Sequence, residues 1–378
     1  MIPTKRAPVI RRSHRAPAIL LIAGLTSVVT ALAGCGSSSP SSGSSSSSSS
    51  SSSTSAKAKN VHIAFIYDTT VENFAQEMAL GAAAAAKQTG ITITNVAPPQ
   101  PVGAQQVSEF DSASQTSKNG IALATLFPDL FVRPLNTAQS EGIPLIAVDT
   151  PPPAGTTVKL FIGNDNVQLG DALATALLPK IPAGTKGQIL IGTDTPGLPV
   201  LTARNQGFMN TIHAARPGIT FVNFDSTQVP NTNLAAWQSA VNSHPGAVAY
   251  VGPGSQDAAS MAQIEQHSGK HYLVGADDLD PTALQGVANG LVTALVSPEH
   301  WLKGYIAIDL LAEHALTGKA LPTGWWNPGY LVVNSANIKE IQARQATPAS
   351  RLAWFKKEVT AELANPSKYL KPMSAMGG

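Results

Sequence analysis

The sequence predicts an α/β protein of two Rossmann-like lobes, each built on a parallel sheet, with a hinge of three chain segments between them. Short apolar runs alternate with helical segments along most of the chain. This alternation is broken once, near residue 160, where two apolar runs follow each other without a helix between them. The 378 residues, of which 43% are hydrophobic, are enough for two domains with separate cores.

The first lobe is predicted from four apolar runs separated by helical segments. Helix 71–89 is rich in alanine, the best helix former, and Gly90 ends it. The run 143–148 is almost entirely apolar up to Asp149, which is typical of a strand buried on both faces. The predicted strands are 61–67, 91–96, 121–127 and 143–148, and the predicted helices are 71–89, 104–117 and 131–140.

The chain is predicted to leave this first unit after Asp149. Three consecutive prolines, 151–153, force an extended exit, and the apolar run 160–162 follows directly. The alternation then restarts and predicts a second lobe. Its strands are expected at 188–191, 220–224, 247–251, 272–276 and 291–296, and its helices at 166–178, 201–214, 234–243, 257–267 and 282–289.

The N-terminal segment has the pattern of an export signal. Residues 1–17 are basic, and the apolar run 18–33 is shorter than the about 20 residues that span a bilayer. Leu32-Ala33-Gly34-Cys35 resembles a bacterial lipobox, which implies cleavage after residue 34 and a diacylglycerol group on Cys35. The alternative is an uncleaved anchor. The serine tract that follows predicts a disordered linker up to residue 60.

Composition argues against several classes of function. The net charge is +2, with the basic excess near the N-terminus, so no nucleic-acid partner is expected. The eight histidines show no metal-binding spacing, and Cys35 is the single cysteine, so neither a metal nor an internal disulfide is expected. Segment 192–197 lacks the lysine of a phosphate-binding loop. No cofactor and no enzymatic activity are expected.

Three motifs carry a resemblance to a known family. They are the run 143–148 with Asp149, the pattern R-x-x-G-F from Arg204 to Phe208, and Val274-Gly-Ala-Asp277. Their order and spacing over about 61–333 are similar to those of type I, ribose-binding-like substrate-binding proteins of ABC importers. The resemblance implies a periplasmic binding protein fold of type I. Lobe 1 would comprise 61–164 plus about 297–325, and lobe 2 165–296 plus about 326–345, with a C-terminal helix and a loose tail over 346–378.

Candidate ligand-binding residues lie at the predicted strand ends and helix starts, where open α/β sheets bind ligands. Carboxylates accept hydrogen bonds from hydroxyl groups, arginine and amides donate them, and an aromatic face covers the apolar face of a sugar ring. The candidates are Asp68, Thr69, Glu72, Phe74, Phe127 and Asp149 from the first lobe, and Arg204, Ser255, Gln256 and Asp277 from the second.

The resemblance assigns roles to some of these residues. Phe74 matches the first stacking aromatic, Asp149 a ring-hydroxyl acceptor, and Arg204 and Asp277 ligand contacts of the second lobe. Ala75 and Thr150 replace a second aromatic and an arginine, which argues against ribose itself. Each role has a structural alternative: the aspartates could cap loops, Arg204 could lie on a helix surface, and Phe74 could belong to the core.

The resemblance implies an extracytoplasmic, lipid-anchored and monomeric protein. It would capture a sugar or a similar polar small molecule by closing its two lobes and deliver it to the permease subunits of an ABC importer. Two alternatives remain open at this stage. One is a ligand-sensing receptor subunit of the same fold, and the other is an extracytoplasmic hydrolase with a carboxylate pair.

Overall fold

A computed structural model describes residues 57–376 of the chain. The predicted signal over 1–34, the lipidation at Cys35 and the predicted linker as far as residue 56 lie outside the described residues and stay predictions. The prediction of a disordered linker is wrong for residues 57–60, because 57–59 form a helical turn and Ala58 is buried in the core of the first lobe. Between residues 57 and 376, no helix is both long enough and apolar enough to cross a membrane.

The first sheet has seven strands in the order β13-β11-β5-β4-β3-β1-β2, all parallel except β13. Its strands are β1 His62–Ile66, β2 Thr92–Val96, β3 Ile121–Ala124, β4 Leu145–Val148, β5 Leu160–Ile162, β11 Gly324–Trp326 and β13 Leu370–Lys371. The associated helices are α1 Asn73–Thr89, α2 Gly103–Thr116, α3 Val132–Ser140, α9 His300–Thr317, α11 Pro348–Ala364 and the short α12 Pro366–Tyr369.

The second sheet has six strands in the order β12-β10-β9-β8-β6-β7, all parallel except β12. Its strands are β6 Gly187–Thr193, β7 Ile219–Asp225, β8 Ala249–Gly252, β9 Val274–Asp277, β10 Ala294–Ser297 and β12 Leu331–Val333. Its helices are α4 Asn166–Leu177, α5 Pro199–Ala215, α6 Pro230–Ser243, α7 Asp257–Ser268, α8 Pro281–Ala288 and α10 Ile338–Gln345. The predicted α/β architecture is confirmed.

The chain passes between the two lobes four times, from β5 to α4, from β10 to α9, from β11 to β12 and from α10 to α11, which is one crossing more than the three-segment hinge that the sequence predicts. Residues of α9 are buried in the core of the first lobe, where Trp301 stacks on Phe355 of α11 at a ring distance of 4.9 Å. The prediction of a loose tail is wrong for residues 370–371, because they pair with Trp325 and Trp326 as an edge strand.

Helices α4 and α5 of the second lobe pack unusually close to each other. A Cβ atom on Gly170 of α4 would lie 1.9 Å from the carbonyl oxygen of Arg204, and one on Gly207 of α5 would lie 2.0 Å from that of Val167. Only glycine fits at these two contacts. Since Arg204 and Gly207 lie on the same helix, the close packing also fixes where Arg204 points.

Candidate functional site

The carboxyl ends of both sheets face one cavity between the lobes. Its empty volume is about 330 Å³, including the part that is open to solvent. Leu126 of the first lobe packs there against Leu198, Val200 and Leu201 of the second, so the two lobes are in contact. The lining residues are Phe74, Leu126, Asp149, Asp194, Thr195, Leu198, Val200, Leu201, Arg204, Gln228, Gly254, Ser255, Asp278 and His300.

Two aspartates occupy equivalent positions in the two lobes. Asp149 follows β4 and Asp278 follows β9, and they have φ angles of 66° and 68°. The backbone N–H of each donates to the strand that comes next in the chain, to Ile162 at 2.8 Å and to Val296 at 2.9 Å. This left-handed backbone is uncommon for residues other than glycine. It turns the chain sharply at the strand end and brings both carboxylates to the cavity.

His300 lies between these two aspartates at the start of α9. Its Nε2 is 2.7 Å from Asp278 Oδ1, and its Nδ1 is 3.6 Å from Asp149 Oδ1. The buried Lys303, one turn further along α9, donates a hydrogen bond from Nζ to Asp149. Burial alone would raise the pKa of Asp149, but Lys303, His300 and Arg204 together hold it well below its usual value. Asp149 is therefore an anion in the closed cleft.

Arg204 is buried and fixed from three sides. Its Nε donates to Asn166 Oδ1 at 3.0 Å, and its Nη1 donates to the Pro253 carbonyl oxygen at 2.8 Å. Asp277 Oδ2 is 3.5 Å from Nε, and Asp278 Oδ2 is 4.0 Å from Nη1. The alternative that Arg204 is a surface residue does not fit its exposure of 4%.

Asp277 lies behind Arg204 and is not among the lining residues. Neither of its carboxylate oxygens has a hydrogen-bond partner within the described part of the chain, so it does not cap a loop there. Burial raises its pKa to about 8, against the lowering effect of Arg204. The neighbouring Asp278, which the sequence analysis missed, has the position in the cavity that was predicted for Asp277.

The start of α1 and the residues just before it contain four more of the predicted first-lobe residues, of which Phe74 alone is among the lining residues. Phe74 lines the cavity, with its ring 5.6 Å from that of His300. Glu72 is buried at the N-cap of α1 and accepts a hydrogen bond from Ser255 Oγ of the second lobe at 3.1 Å. Burial raises the pKa of Glu72 to about 7. Asp68 and Thr69 are buried just before this segment, and the Thr69 hydroxyl accepts from the Val71 N–H at 3.3 Å.

Four of the ten predicted residues line the cavity, namely Phe74, Asp149, Arg204 and Ser255, and six do not, namely Asp68, Thr69, Glu72, Phe127, Gln256 and Asp277. Phe127 packs over Gly103 at the start of α2, and Gln256 is buried just before α7. The residues that the sequence analysis missed include Asp194, Asp278 and His300. Asp194 follows the strand end at Thr193, a position that could have identified it. His300 is the first residue of α9, after the second crossing. The alternation of strands and helices there does not predict it as a ligand-binding residue.

No group of three or more histidine, cysteine, aspartate or glutamate residues among positions 57–376 is arranged to hold a metal ion. The cavity instead combines fixed hydrogen-bonding groups of both lobes with an apolar wall. Two facing α/β lobes with such a cavity at their strand ends define a protein that encloses a small polar ligand.

The chain belongs to the family of periplasmic binding proteins, because the model of the periplasmic binding protein domain matches residues 63–320. It is similar to the D-allose-binding periplasmic protein of Escherichia coli K12, with 26% identity over 271 residues that cover 68% of this chain and 86% of the relative. The xylose/arabinose-binding protein XylF of Sulfolobus acidocaldarius is 23% identical over 224 residues, which cover 53% of this chain. This chain spans only about half the length of that relative, 52%.

Solved structures support the same fold. An ABC transporter solute-binding protein from Agrobacterium vitis, bound with alpha-D-tagatopyranose, matches with a TM-score of 0.68 and 26% identity. The match covers 74% of this chain and 97% of that chain. The predicted type I periplasmic binding protein fold is thus confirmed for the two lobes.

Proposed function

We propose that this protein captures a sugar or a similar polar small molecule between its lobes and delivers it to the permease of an ABC importer. One observation carries the proposal: the cavity lies where the strand ends of both lobes face each other, and groups of both lobes line it. A ligand there contacts both lobes at once and therefore stabilises their closed arrangement.

The lining supports a polyhydroxylated ligand. Asp149 and Asp278 offer acceptors from opposite sheets, and Arg204 offers donors. Phe74 and the leucine and valine side chains offer an apolar surface for the carbon face of a ring. We expect the protein to bind its ligand without converting it, because the two relatives named above are binding proteins.

Delivery requires that the protein stay near the membrane. The lipobox-like sequence that ends at Cys35 supports a lipid anchor, and the serine tract supports a slack tether between the anchor and the lobes. We expect Cys35→Ser to release the protein from the membrane or to leave an unprocessed precursor. A mature-size variant that still sediments with membranes would contradict the anchor.

Ligand-induced thermal stabilisation tests the capture itself. The full chain is screened against a panel of pentoses, hexoses and polyols, and the ligand-free melting temperature serves as the reference. Asp149→Ala and Arg204→Ala should each lose the stabilisation by the ligand, because a desolvated ligand hydroxyl is left unpaired at a cost of about 1–3 kcal/mol. The proposal fails if no compound of the panel binds, or if both variants bind the best ligand as tightly as the parent chain does.

A further inference from the structure

Two of the four chain crossings between the lobes are joined by an ion pair. Glu299 lies in the crossing from β10 to α9, and Arg344 is at the end of α10, just before the crossing to α11. Arg344 Nη1 donates to both carboxylate oxygens of Glu299, at 3.1 Å each. Both residues are buried, with 4% of Arg344 and 6% of Glu299 exposed. The pair therefore holds two separate hinge segments against each other.

The backbone of Glu299 has a left-handed conformation, with a φ angle of 53° and a ψ angle of 47°. This conformation is unfavourable for residues other than glycine, and it persists where surrounding contacts hold it. The N–H of Glu299 donates to Ser297 Oγ at 3.2 Å, and its carbonyl oxygen accepts from the Leu302 N–H at 3.0 Å. The ion pair with Arg344 adds the contact that holds the side chain.

This turn determines where His300 lies, because His300 is the next residue and the first of α9. His300 lines the ligand cavity and also a second cavity between the lobes, whose empty volume is about 270 Å³ including open solvent. Glu299 and Arg344 line this second cavity and are not among the residues that line the ligand cavity. A rotation of the Glu299 backbone would move the imidazole ring away from Asp278, which now lies 2.7 Å from it.

The guanidinium group of Arg344 also contacts the first lobe. Its Cζ lies 5.0 Å from the ring centre of Phe355 and 5.6 Å from that of Trp354, both on α11. A cation over an aromatic face is attracted to it. Helix α10, which carries Arg344, is itself anchored in the core of the second lobe. The contact between Arg344 and Glu299 therefore depends on how the two lobes are arranged.

We propose that Glu299 and Arg344 are positioning residues for ligand binding, and that their ion pair holds the left-handed turn that directs His300 to Asp278 across the cleft. The inference rests on the proposed function, because it concerns the closed arrangement that the ligand stabilises. It gives the ion pair an effect on ligand affinity that passes through His300. An ion pair that only holds the fold together would change stability and leave affinity alone.

A comparison of Glu299→Ala with Glu299→Gly tests the backbone. Both variants leave Arg344 without its carboxylate, so that loss is shared, but only glycine adopts the left-handed conformation at little cost. The probe is the sugar that stabilises the parent chain most in a panel that includes D-allose, D-xylose, L-arabinose and D-tagatose. By calorimetry on the full chain, we expect Glu299→Ala to bind this sugar about tenfold more weakly than the parent does, an effect of roughly 1.4 kcal/mol. Glu299→Gly should bind it at least about threefold more tightly than Glu299→Ala.

A double-mutant cycle tests whether the effect passes through His300. Arg344→Met removes the charge and keeps an apolar stem against the aromatic rings. It should weaken binding about tenfold in the parent chain and less than about twofold in the His300→Ala background. The matched control is Arg351→Met, which breaks a similar ion pair within the first lobe, where Glu77 Oε1 lies 2.6 Å from Arg351 Nη2. This control should lower the melting temperature and leave the affinity unchanged.

Three results overturn the proposal. The first is an unchanged affinity in Glu299→Ala, and the second is an equal loss of affinity in Glu299→Ala and Glu299→Gly. The third is a full effect of Arg344→Met in the His300→Ala background, because the ion pair would then act by another route. If the parent chain binds no sugar of the panel, the proposed function fails and the positioning role fails with it. Variants at two residues keep the test decisive even if one of them folds poorly.

Discussion

The imidazole ring of His300 lies between a charged group of each lobe, Lys303 in the first and Asp278 in the second. Lys303 Nζ is 3.3 Å from His300 Nδ1, and Asp278 Oδ1 is 2.7 Å from His300 Nε2. This arrangement fits the tautomer in which Nδ1 accepts from Lys303 and Nε2–H donates to Asp278. His300 belongs to a helix of the first lobe and Asp278 to the second lobe, so this hydrogen bond acts only while the lobes are closed.

Replacing His300 by alanine should weaken ligand binding, because the closed arrangement loses a hydrogen bond to a charged group. Such bonds contribute about 1.5–3 kcal/mol, which is roughly tenfold to more than a hundredfold in the dissociation constant. Calorimetry with the best ligand of the screen measures the change. His213→Ala, at an exposed position on α5, is the control. Unchanged affinity in His300→Ala would show that the bond does not stabilise the closed lobes.

At the scale of secondary-structure elements, a glycine-mediated helix contact occurs once in each lobe. Gly81 of α1 and Gly304 of α9 pack as closely in the first lobe as Gly170 and Gly207 do in the second, with Cβ-to-oxygen distances of 1.9 Å in three of the four cases and 2.0 Å at Gly207. The glycine of the R-x-x-G-F motif thus has a packing role. Its neighbour one turn earlier, Arg204, provides the cavity with a fixed cation.

Gly207→Ala should push α5 away from α4, since the new methyl group meets the carbonyl of Val167 and not a flexible side chain. We expect a loss of about 1–3 kcal/mol in the free energy of unfolding, together with weaker ligand binding as Arg204 moves. Denaturant titration and calorimetry measure the two effects. Gly246→Ala, where a Cβ atom meets nothing within 4 Å, should change neither.

A second prediction concerns the attachment of α11. Glu362 is buried and accepts a hydrogen bond from Trp326 Nε1 at 2.7 Å, and burial raises its pKa from 4.5 to about 7. Below pH 4.5 the folded and unfolded states both hold the proton. Between pH 4.5 and about 7 only the folded state holds it, so stability falls as the pH rises and then levels off.

Glu362→Gln keeps an acceptor for Trp326 and should remove this part of the pH dependence. Melting temperatures across the same pH range measure it, with the exposed Glu340→Gln as the control. Parallel melting curves for the parent chain and Glu362→Gln would mean that Glu362 has the same pKa in both states.

The elements that the sequence predicted well are those with long, regular apolar patterns. Strand β4 and helix α1 are examples, because burial on both faces or an alanine-rich composition leaves a local signal. Strands β11 and β13 have three and two residues, which is too short for any periodicity, and they form only by pairing with distant segments. Asp149 was predicted because it ends a regular strand. His300 contributes to the site through the meeting of two lobes, a contact between distant parts of the chain that a local pattern does not encode.

At the scale of the whole molecule, specific side-chain contacts join the two lobes. The hydrogen bonds from Ser255 to Glu72 and from His300 to Asp278 cross the cleft, as does the packing of Leu126 on Leu198 and its neighbours. The four chain crossings between the lobes act as hinge segments that allow the lobes to separate as rigid bodies. The ligand shifts this equilibrium by binding the closed arrangement more tightly than the open one.

Small-angle scattering should therefore give a smaller radius of gyration with saturating ligand than without it. Asp149→Ala should need a higher ligand concentration to reach the same value, because it lacks one contact to the ligand. An identical radius with and without a ligand that binds by calorimetry would contradict closure of the lobes.

The edge strand β13 has a consequence for the order in which the lobes can fold. The first sheet needs β1 at His62 and β13 at Leu370, so the whole described chain must be present before that sheet is complete. The second sheet draws on a far shorter stretch, from β6 at Gly187 to β12 at Leu331. Contacts between distant residues form slowly, because they require the closure of a long loop. When the chain folds from its N-terminal end onward, the second lobe can thus become structured before the first lobe acquires its last strand.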